Sequence, residues 1–503
     1  MPEPGTLLEL ETTAPAALGR CVARMEGFTV LVRGALPGER VRARVTEAHP
    51  NYALAETEEV TTPAPQRVAP PCPHQAQGCG GCGWQHAAPP LQAEIKASVL
   101  RDQITRIAKL PIPATFTLHQ AEGMLAYRDK LEFVPVFAGG RWQPGYHGTD
   151  GAPLPITECM LAPPHMSAAA HATLAALQGA GLLPSVPTGD HGRHPLERIT
   201  VQGCIDPERG GQGLGVLLHW RDHNASKVMR GWAVEALPEL RAAIPTLAHL
   251  GAYLPGGVEE GEDGNGGASR ARERGRGRER GRGRGTQHRI RGRMVPLLGG
   301  GLIEKEVGGR RYLVPPEGFF QVNPAMATRL REHVTAQFAT ALAALPSRAE
   351  GVVYDLYCGA GFFSLPIAAL GVPVLGVDQT HGSLRAAKKS ASQAGLHGDD
   401  TLRFYGVNLD EQGALEHLLK QWNRPWAAVV DPPRKGLSKP LAQALVKRGP
   451  ELLVYVSCDS GTFARDAARL AAEYTMEDLQ AFDLFPQTHH LELVGVFRRR
   501  KFE

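Results

Sequence analysis

The chain has 503 residues, 43% of them apolar and 21% charged, with a formal net charge of +4. At roughly 150 residues per domain this length predicts about three domains with sizeable cores. Its first residues lack the basic start and apolar core of a signal peptide, and no stretch of about 18 residues is continuously apolar. Eight cysteines are too few for a disulfide scaffold. We therefore expect a soluble, cytoplasmic protein with no membrane contact.

Residues 1–65 are predicted to form a small β domain. The runs VARM, FTVLVRG and RVRARVTEA alternate or concentrate β-branched residues, and turn signals separate them. This pattern is typical of an OB-like β-barrel. Its arginines present either an RNA-binding surface or an ordinary solvated strand face, and the sequence leaves both interpretations open. These arginines are Arg24, Arg33, Arg40, Arg42 and Arg44.

Residues 66–315 are predicted to form a mixed α+β central domain that opens on a cysteine-rich segment. Three cysteines follow one another with the spacing C-x6-C-x2-C, and the fourth candidate ligand lies in ITECML. In an intracellular chain this clustering favours a metal site over disulfides. Spacing alone suits structural zinc, with His74 or His86 as a further ligand, and four thiolates also suit a 4Fe–4S cluster. The four candidate ligands are Cys72, Cys79, Cys82 and Cys159.

A low-complexity insert at 256–293 interrupts the central domain. The part between Ser269 and Arg293 holds eleven arginines and two glutamates, a net charge of +9, so the rest of the chain has a net charge of −5. Gly and Arg cannot support a core, and we therefore predict a disordered loop between two strands. The insert either adds non-specific affinity for phosphates or is a dispensable solvated loop.

Residues 316–503 are predicted to form an α/β domain. Strand-like GVVYDLYC, VPVLGVD, LRFYGVN, WAAVVD and LLVYVSCD alternate with helical segments, which indicates a doubly wound, mostly parallel, Rossmann-like sheet. The last two strand-like runs, MEDLQAFDLF and HLELVGVFRR, have no helix between them. They predict an antiparallel hairpin at one edge of the sheet.

A Gly-rich turn, DLYCGAGFFSLPIA, joins the first strand of this sheet to a helix. Glycine there allows a ligand to approach the start of the helix closely. Asp378 ends the second strand, where a carboxylate accepts hydrogen bonds from ribose hydroxyls, and Asp431 ends the fourth. The turn lacks the spacing of the dinucleotide fingerprint. A sheet of this kind that binds some other nucleotide is the alternative.

Cys458 ends the fifth strand, directly before a helix. Ligands bind at the carboxyl ends of parallel strands, so Cys458 and Asp431 should face one crevice. A helix N-terminus stabilises a thiolate, which favours a nucleophile, whereas a buried small apolar residue is the alternative. Position alone does not separate the two. Cys21, Cys204 and Cys358 are interpreted as small packing residues.

Five ordered motifs resemble the RNA uracil-5-methyltransferase family, class I enzymes that use S-adenosylmethionine to make 5-methyluridine. They are FFQVNP, DLYCGAGFFSL, DPPRKG, VSCDSGTFARD and QTHHLELV. GALPGERVRARV is similar to that family's TRAM domain, and CPHQAQGCGGCGWQH is similar to its iron–sulfur motif, which favours 4Fe–4S over zinc. The resemblance covers nearly the whole chain outside the insert, and an intact TRAM-like domain with a cysteine cluster favours the 23S ribosomal RNA branch.

The resemblance assigns roles to individual residues. Cys458 is the nucleophile that attacks C6 of uracil, and Glu492 is the base that removes the C5 proton. Cofactor contacts carry over to four positions: Gln321, Tyr357, Asp378 and Asp431. Two positions depart from the family. Phe362 stands where an Asn is frequent and Asp378 where a Glu is frequent, and neither change alters the expected reaction.

An unpaired or flipped-out uracil is the expected substrate, because both faces of the base must be reached. Phe319 and Phe320 are candidate stacking residues, with core packing as the alternative, and Arg128 and Lys130 are candidate RNA contacts. We expect a monomer. Transfer RNA is the second choice of substrate, and a non-catalytic RNA-binding or assembly factor is a third hypothesis. A DNA cytosine-5-methyltransferase is disfavoured, because DPPR stands where that family has Pro–Cys.

Overall fold

The computed structural model describes residues 2–185, 194–255, 292–343, 352–396, 398, 401–421 and 426–500. Most of the predicted insert, 256–291, lies outside the described residues, whereas its last residue, Arg293, begins a strand. Among the helices of the described part, none combines the length and apolar character needed to cross a membrane.

Five strands near the N-terminus close into a barrel in the order β1-β2-β3-β5-β4. Buried and exposed residues alternate along β4, so Val41, Ala43 and Val45 are buried on one face, and Val41 and Ala43 share a core with Val30 and Val32. The predicted OB-like barrel is confirmed. The strands are β1 (Leu7–Ala16), β2 (Arg20–Met25), β3 (Phe28–Arg33), β4 (Arg40–His49) and β5 (Tyr52–Thr62).

The basic face of the barrel is largely compensated by carboxylates on neighbouring strands. Four of the five arginines form ion pairs with glutamates, at N–O distances from 2.5 to 3.6 Å, and the fifth, Arg24, donates to the Gly27 carbonyl at 3.4 Å. Four of these five positive charges on the described strands therefore have a carboxylate beside them, and Arg24 bonds to a backbone carbonyl instead. The pairs are Arg33–Glu56, Arg40–Glu11, Arg42–Glu59 and Arg44–Glu58.

The central sheet has seven strands in the order β13-β12-β11-β10-β7-β8-β9, and two helices pack with it in one core. β12 and β13 pair antiparallel, so the segment 256–291 connects two adjacent strands, as expected. The elements between the barrel and the C-terminal region are α1 (Pro73–Ala76), α2 (Pro89–Gln103), β6 (Thr117–His119), β7 (Lys130–Ala138), β8 (Arg141–His147), β9 (Pro153–Pro155), α3 (Pro164–Gly179), β10 (Leu196–Ile205), β11 (Gln212–Trp220), α4 (Ser226–Ala243), β12 (Leu247–Leu254), β13 (Arg293–Leu298), and the hairpin β14 (Ile303–Val307) and β15 (Arg310–Val314).

The C-terminal sheet has eight strands in the order β18-β17-β16-β19-β20-β22-β21-β6, of which the first five run parallel. The predicted doubly wound sheet and its antiparallel terminal hairpin are confirmed. The elements are α5 (Pro324–Ala343), β16 (Val353–Leu356), α6 (Ser364–Ala368), β17 (Val374–Asp378), α7 (His381–Gln393), β18 (Leu402–Gly406), α8 (Ala414–Gln421), β19 (Ala427–Val430), α9 (Lys439–Arg448), β20 (Leu452–Ser457), α10 (Ser460–Leu470), β21 (Tyr474–Phe482) and β22 (Glu492–Arg499).

Helices cover both faces of this sheet. Along β20, Val454 and Val456 belong to one core and Leu453 and Tyr455 to the other, which explains why the strand is apolar at successive positions. Apolar residues without alternation are the pattern that a parallel strand buried on both faces requires. The carboxyl ends of the parallel strands consequently form one edge, which positions the site.

Two elements from the middle of the chain complete the C-terminal sheet. β6 pairs in parallel with β21, and Leu100 and Ile104 pack with Phe463 of α10 in one of the two cores. The segment 89–119 therefore packs with the predicted domain 316–503 rather than with the central sheet. The domain boundaries themselves, at 65/66 and 315/316, stay predictions.

Candidate active site

Four side chains expected from the sequence lie at the carboxyl edge of the C-terminal sheet. Asp378 is the last residue of β17, Asp431 follows β19, and Cys458 follows β20. Glu492 reaches the same edge from the opposite direction, because it begins the antiparallel strand β22. The topology thus gathers residues that are up to 114 positions apart in the sequence.

The register of β20 and β22 places the thiol and the carboxylate face to face. Ser457 pairs with Leu493, so the next residue of each strand, Cys458 and Glu492, stand opposite one another where the ladder ends. Glu492 is buried, with 4% of its surface exposed, and Cys458 is half-buried. The structure therefore brings together the two residues to which the resemblance assigns catalysis.

Burial controls the protonation of this pair. Desolvation, followed by the charges of Glu492 and Asp431, raises the pKa of the Cys458 thiol to about 12, and Arg434 opposes the shift. Asp459 caps α10 by accepting from the Thr462 amide at 2.7 Å, so a carboxylate occupies this helix N-terminus. Burial and the neighbouring carboxyl groups outweigh the expected stabilisation of a thiolate by the helix N-terminus.

The two carboxyl groups beside the thiol are shifted in the same direction. Burial raises the pKa of Glu492 well above its ordinary value, and the charge of Asp431 adds to the shift. Burial also raises the pKa of Asp431. A positive charge brought into this crevice stabilises their ionised forms and so lowers both pKa values.

The Gly-rich turn is fixed by Asp378. Its Oδ2 atom accepts from the Gly359 amide at 3.0 Å and its Oδ1 atom from the Thr380 amide at 2.7 Å. Tyr357 has a φ of 64°, a conformation that side chains rarely adopt outside functional turns. Its hydroxyl donates to Oδ1 of Asp410 at 2.9 Å. The turn is thereby held open at the start of α6.

Two acidic residues of the site were missed by sequence reasoning. Asp355 lies within β16 and accepts from the Ser364 hydroxyl through Oδ2, while its buried Oδ1 has no partner within the described structure. Burial raises its pKa to about 7. A charged residue inside the buried run VVYDLY was the available signal. Asp410, which also binds Lys435, had no signal beyond its position after a strand.

Comparison with known proteins identifies the chain. The family model described as tRNA (Uracil-5-)-methyltransferase matches residues 305–501, and the TRAM domain matches residues 4–57. The 23S rRNA (uracil(1939)-C(5))-methyltransferase RlmD of Bordetella bronchiseptica is 30% identical over 95% of this chain and 90% of its own length. An uncharacterized RNA methyltransferase of Streptomyces avermitilis is 30% identical over 98% of both chains.

The chain belongs to the RNA uracil-5-methyltransferase family. The crystal structure of Pyrococcus abyssi tRNA (uracil-54, C5)-methyltransferase in complex with S-adenosyl-L-homocysteine has the same fold, with a TM-score of 0.65 over 97% of this chain and 100% of that one at 19% identity. The expected resemblance, the class I methyltransferase fold and the activity of an S-adenosylmethionine-dependent RNA uracil-5-methyltransferase are confirmed.

The two candidate stacking residues of the methyltransferase differ in their exposure to solvent. Phe320 is buried, with its ring 5.7 Å from that of Phe362 and 5.4 Å from that of Tyr312, so it is a core residue. Phe319 is 77% exposed. Phe362 fills this aromatic core, which explains how an apolar residue can replace the frequent Asn. Gln321, next in the chain, is buried.

Of the two candidate RNA contacts of the methyltransferase, Lys130 forms its polar contacts within the protein. Its Nζ donates to the Gly318 carbonyl at 3.1 Å and lies 3.4 Å from Glu132, and burial lowers its pKa. Lys130 is therefore a structural residue rather than a free RNA contact. Arg128 lines a groove of about 820 Å³, and Arg434 lines the same groove.

The thiols of Cys72, Cys79 and Cys82 in the cysteine-rich segment and that of Cys159 lie close enough to interact electrostatically. Burial first, and then the charges of the other three, raise the pKa of Cys82 to about 12. No group of three or more His, Cys, Asp or Glu side chains within the described ranges has a geometry that could hold a metal ion. His74 has both ring nitrogens engaged, by Gln77 at 3.1 Å and Thr157 at 2.9 Å, which disfavours it as a ligand.

Proposed function

We propose that the methyltransferase converts a uridine of 23S ribosomal RNA to 5-methyluridine, with Cys458 as nucleophile and Glu492 as base. The observation that carries the proposal is the β20–β22 register, which places these two residues opposite one another at the ligand-binding edge. The choice of RNA is supported by RlmD relatives that are similar over the whole chain, barrel included.

The proposed reaction needs a nucleophile because C5 of uracil is a poor nucleophile on its own. The Cys458 thiolate adds to C6, and the electron pair of the 5,6 double bond moves onto the C4 carbonyl to form an enolate. C5 then takes the methyl group from the sulfonium of S-adenosylmethionine, leaving S-adenosylhomocysteine. Glu492 removes the C5 proton, and the double bond reforms as the C6–sulfur bond breaks and releases the thiolate.

The protonation of the site fits this order. Burial raises the pKa of both the Cys458 thiol and the Glu492 carboxyl, which favours the protonated form of each group. A sulfonium beside them favours their charged forms. A bound methyl donor is therefore expected to favour ionisation of both the nucleophile and the base.

We propose that Gln321, Tyr357, Asp378 and Asp431 hold the methyl donor. The residues present fit an adenosyl sulfonium, because carboxyl groups lie at the ends of β17 and β19 beside the Gly-rich turn, and Asp355 of the intervening strand β16 keeps a buried oxygen without a partner in the described structure. Ribose hydroxyls and a sulfonium are the partners that such a set of acceptors favours.

Replacing Asp378 with Ala is expected to raise the KM for S-adenosylmethionine by about 10- to 100-fold. The change removes the contacts of one carboxylate to the Gly359 and Thr380 amides and to the ribose, and hydrogen bonds to charged groups contribute about 1.5–3 kcal/mol each. Initial rates at varied donor concentration measure it. Asp102→Ala, which removes an exposed carboxylate on α2, is the control; an unchanged KM in Asp378→Ala contradicts the assignment.

Mapping of 5-methyluridine tests the proposed substrate. In a strain that lacks the gene, we expect 5-methyluridine to disappear from one or more positions of 23S ribosomal RNA and to persist in transfer RNA. Restoring the wild-type gene returns it. Loss from transfer RNA alone contradicts the ribosomal assignment and leaves the reaction type intact.

We propose that Cys72, Cys79, Cys82 and Cys159 hold a 4Fe–4S cluster that anchors the segment beside the barrel. The donor chemistry supports the proposal, because four thiols from two distant parts of the chain influence one another and His74 is occupied elsewhere, although the described side chains do not stand in a metal-binding geometry. Bound there, the cluster would act structurally, since methyl transfer requires no redox step. We also expect the enzyme to act in the cytoplasm as a monomer.

Anaerobically purified protein is expected to contain about four iron and four sulfide per chain, as a 4Fe–4S cluster requires. Cys159→Ala should lower both contents, whereas Cys204→Ala, a change of a buried cysteine outside the set, should not. Colorimetric iron and sulfide assays measure this. Stoichiometric zinc without sulfide overturns the cluster in favour of a structural zinc site.

A further inference from the structure

The loop between β21 and β22 delivers the proposed base to the active site. Phe482, the last residue of β21, pairs with Glu492, the first residue of β22, so the nine intervening residues, 483–491, leave and return at the position of the base. We call this segment the 483–491 loop. Together with the strand pairing of β22, its path therefore bears on where the Glu492 carboxylate lies.

A buried ion pair anchors the start of the 483–491 loop to helix α2. The Lys96 Nζ atom lies 2.6 Å from Oδ1 of Asp483, with 0% and 5% of the two side chains exposed. The same ammonium donates to the Phe485 carbonyl at 3.2 Å. A charge pair this deeply buried fixes its partners firmly, since either charge alone is costly in an apolar interior.

A reciprocal amide pair anchors the middle of the loop one helical turn earlier on α2. Gln92 donates from Nε2 to Oε1 of Gln487 at 2.9 Å, and its own Oε1 accepts from the Gln487 amide at 3.0 Å. Gln487 has a φ of 68°, which a non-glycine residue adopts only when its surroundings impose it. Gln92 also donates to the carbonyls of Trp84 and Ala87, at 3.0 and 2.9 Å.

Gln92 and Lys96 lie four residues apart on α2 and so share one face of the helix. Both side chains are buried, and each makes a hydrogen bond or an ion pair to the same nine-residue loop. The methyltransferase motifs of the C-terminal domain contain neither residue. Two independent polar pairs on this face therefore bind the loop, one at its start and one in its middle.

We propose that Gln92 and Lys96 are positioning residues for the proton-abstraction step: through the 483–491 loop they hold Glu492 where it can reach C5 after methyl transfer. The inference rests on the proposed role of Glu492. The proposal predicts an effect on proton abstraction alone, because attack by Cys458 and methyl transfer do not use Glu492. Displacing the loop should slow elimination and leave earlier steps running.

The test uses the full-length enzyme, S-adenosylmethionine and a fragment of ribosomal RNA that the wild type methylates. Gln92→Leu and Lys96→Gln are expected to lower kcat by about 10- to 100-fold, the scale on which misplacement of a catalytic group by about 1 Å acts, with the KM for RNA nearly unchanged. The fraction of enzyme found as a methylated protein–RNA adduct on denaturing gels should rise several-fold above the wild type.

Two control variants distinguish an effect on the loop from a loss of stability and from a failure of the proposed role of Glu492. Leu174→Ala is expected to lower stability through a cavity in the central core, which contains no residue of the loop, and should leave kcat and the adduct fraction unchanged at a temperature below its unfolding transition. Glu492→Gln should accumulate the adduct. If it does and folded Gln92→Leu does not, this inference alone is overturned. If Glu492→Gln turns over normally, the proposed role of Glu492 falls, and the inference with it.

Discussion

Cys458→Ala is expected to lower methylation by at least about 1,000-fold, the scale on which loss of a covalent nucleophile acts in other enzymes. Without the thiolate no adduct forms at C6, so C5 stays a poor nucleophile toward the methyl donor. Transfer of tritium from labelled S-adenosylmethionine to RNA measures the loss. Affinity for RNA should change little, because the thiol is one small, half-buried group at the edge of the sheet.

Cys21→Ala is the matched control for this variant. Cys21 is buried in the barrel, where its thiol contacts the Ala35 carbonyl at 3.2 Å, so its removal tests a general effect of losing a cysteine. We expect wild-type turnover from it. Methylation that persists in Cys458→Ala contradicts covalent catalysis, and a wild type that methylates no RNA favours a binding or assembly factor.

Glu492→Gln is expected to lower turnover by about 100- to 10,000-fold, the usual contribution of a positioned general base. The amide fills the same buried space but cannot take the C5 proton, so the methylated adduct persists. Denaturing gels with radiolabelled RNA should show a band of protein joined to RNA. Both the RNA label and the donor methyl label should appear in it.

Glu477→Gln serves as the control on the same hairpin. Glu477 is exposed on β21, where its carboxylate lies 3.3 Å from Arg498, and its loss should leave turnover and adduct levels as in the wild type. An adduct in Glu492→Gln that carries no donor methyl group places the block before methyl transfer. That outcome contradicts the role of Glu492 as the C5 base.

The architecture of the C-terminal sheet could be predicted because its signals are local. Strands buried on both faces are apolar at successive positions, as in LLVYVS, and each alternates with a helix. The contribution of β6 to that sheet could not be predicted. Thr117–His119 is three residues long and pairs with a strand more than 350 positions later, so nothing near it in sequence reveals its partner.

The proposed catalytic pair follows from motifs in the sequence, whereas its electrostatics could not be predicted. Motifs identify Cys458 and Glu492, whereas the pKa of a thiol depends on burial and on charges brought from other strands. The helix N-terminus behind Cys458 favours a thiolate, yet burial and two carboxyl groups outweigh it. Asp355 was missed for the same reason, because its raised pKa follows from its burial and from the charges of two other acids.

Residues that join separate parts of the chain were also beyond sequence reasoning. Lys130 matches a family stretch, but its burial beside Glu132 is visible only once β7 is folded. Gln92 and Lys96 belong to no motif, and their contacts lie nearly 400 positions away. Spacing in one sequence carries no information about such pairs.

The most direct test of the account is to identify the residue that becomes joined to RNA. With the wild-type enzyme, S-adenosylmethionine and substrate RNA containing 5-fluorouridine, elimination is blocked because the base cannot remove fluorine as a cation. Digestion and mass spectrometry should then find a methylated, fluorinated nucleotide on the peptide that contains Cys458. No adduct, or an adduct on another residue such as Cys358, would contradict the mechanism.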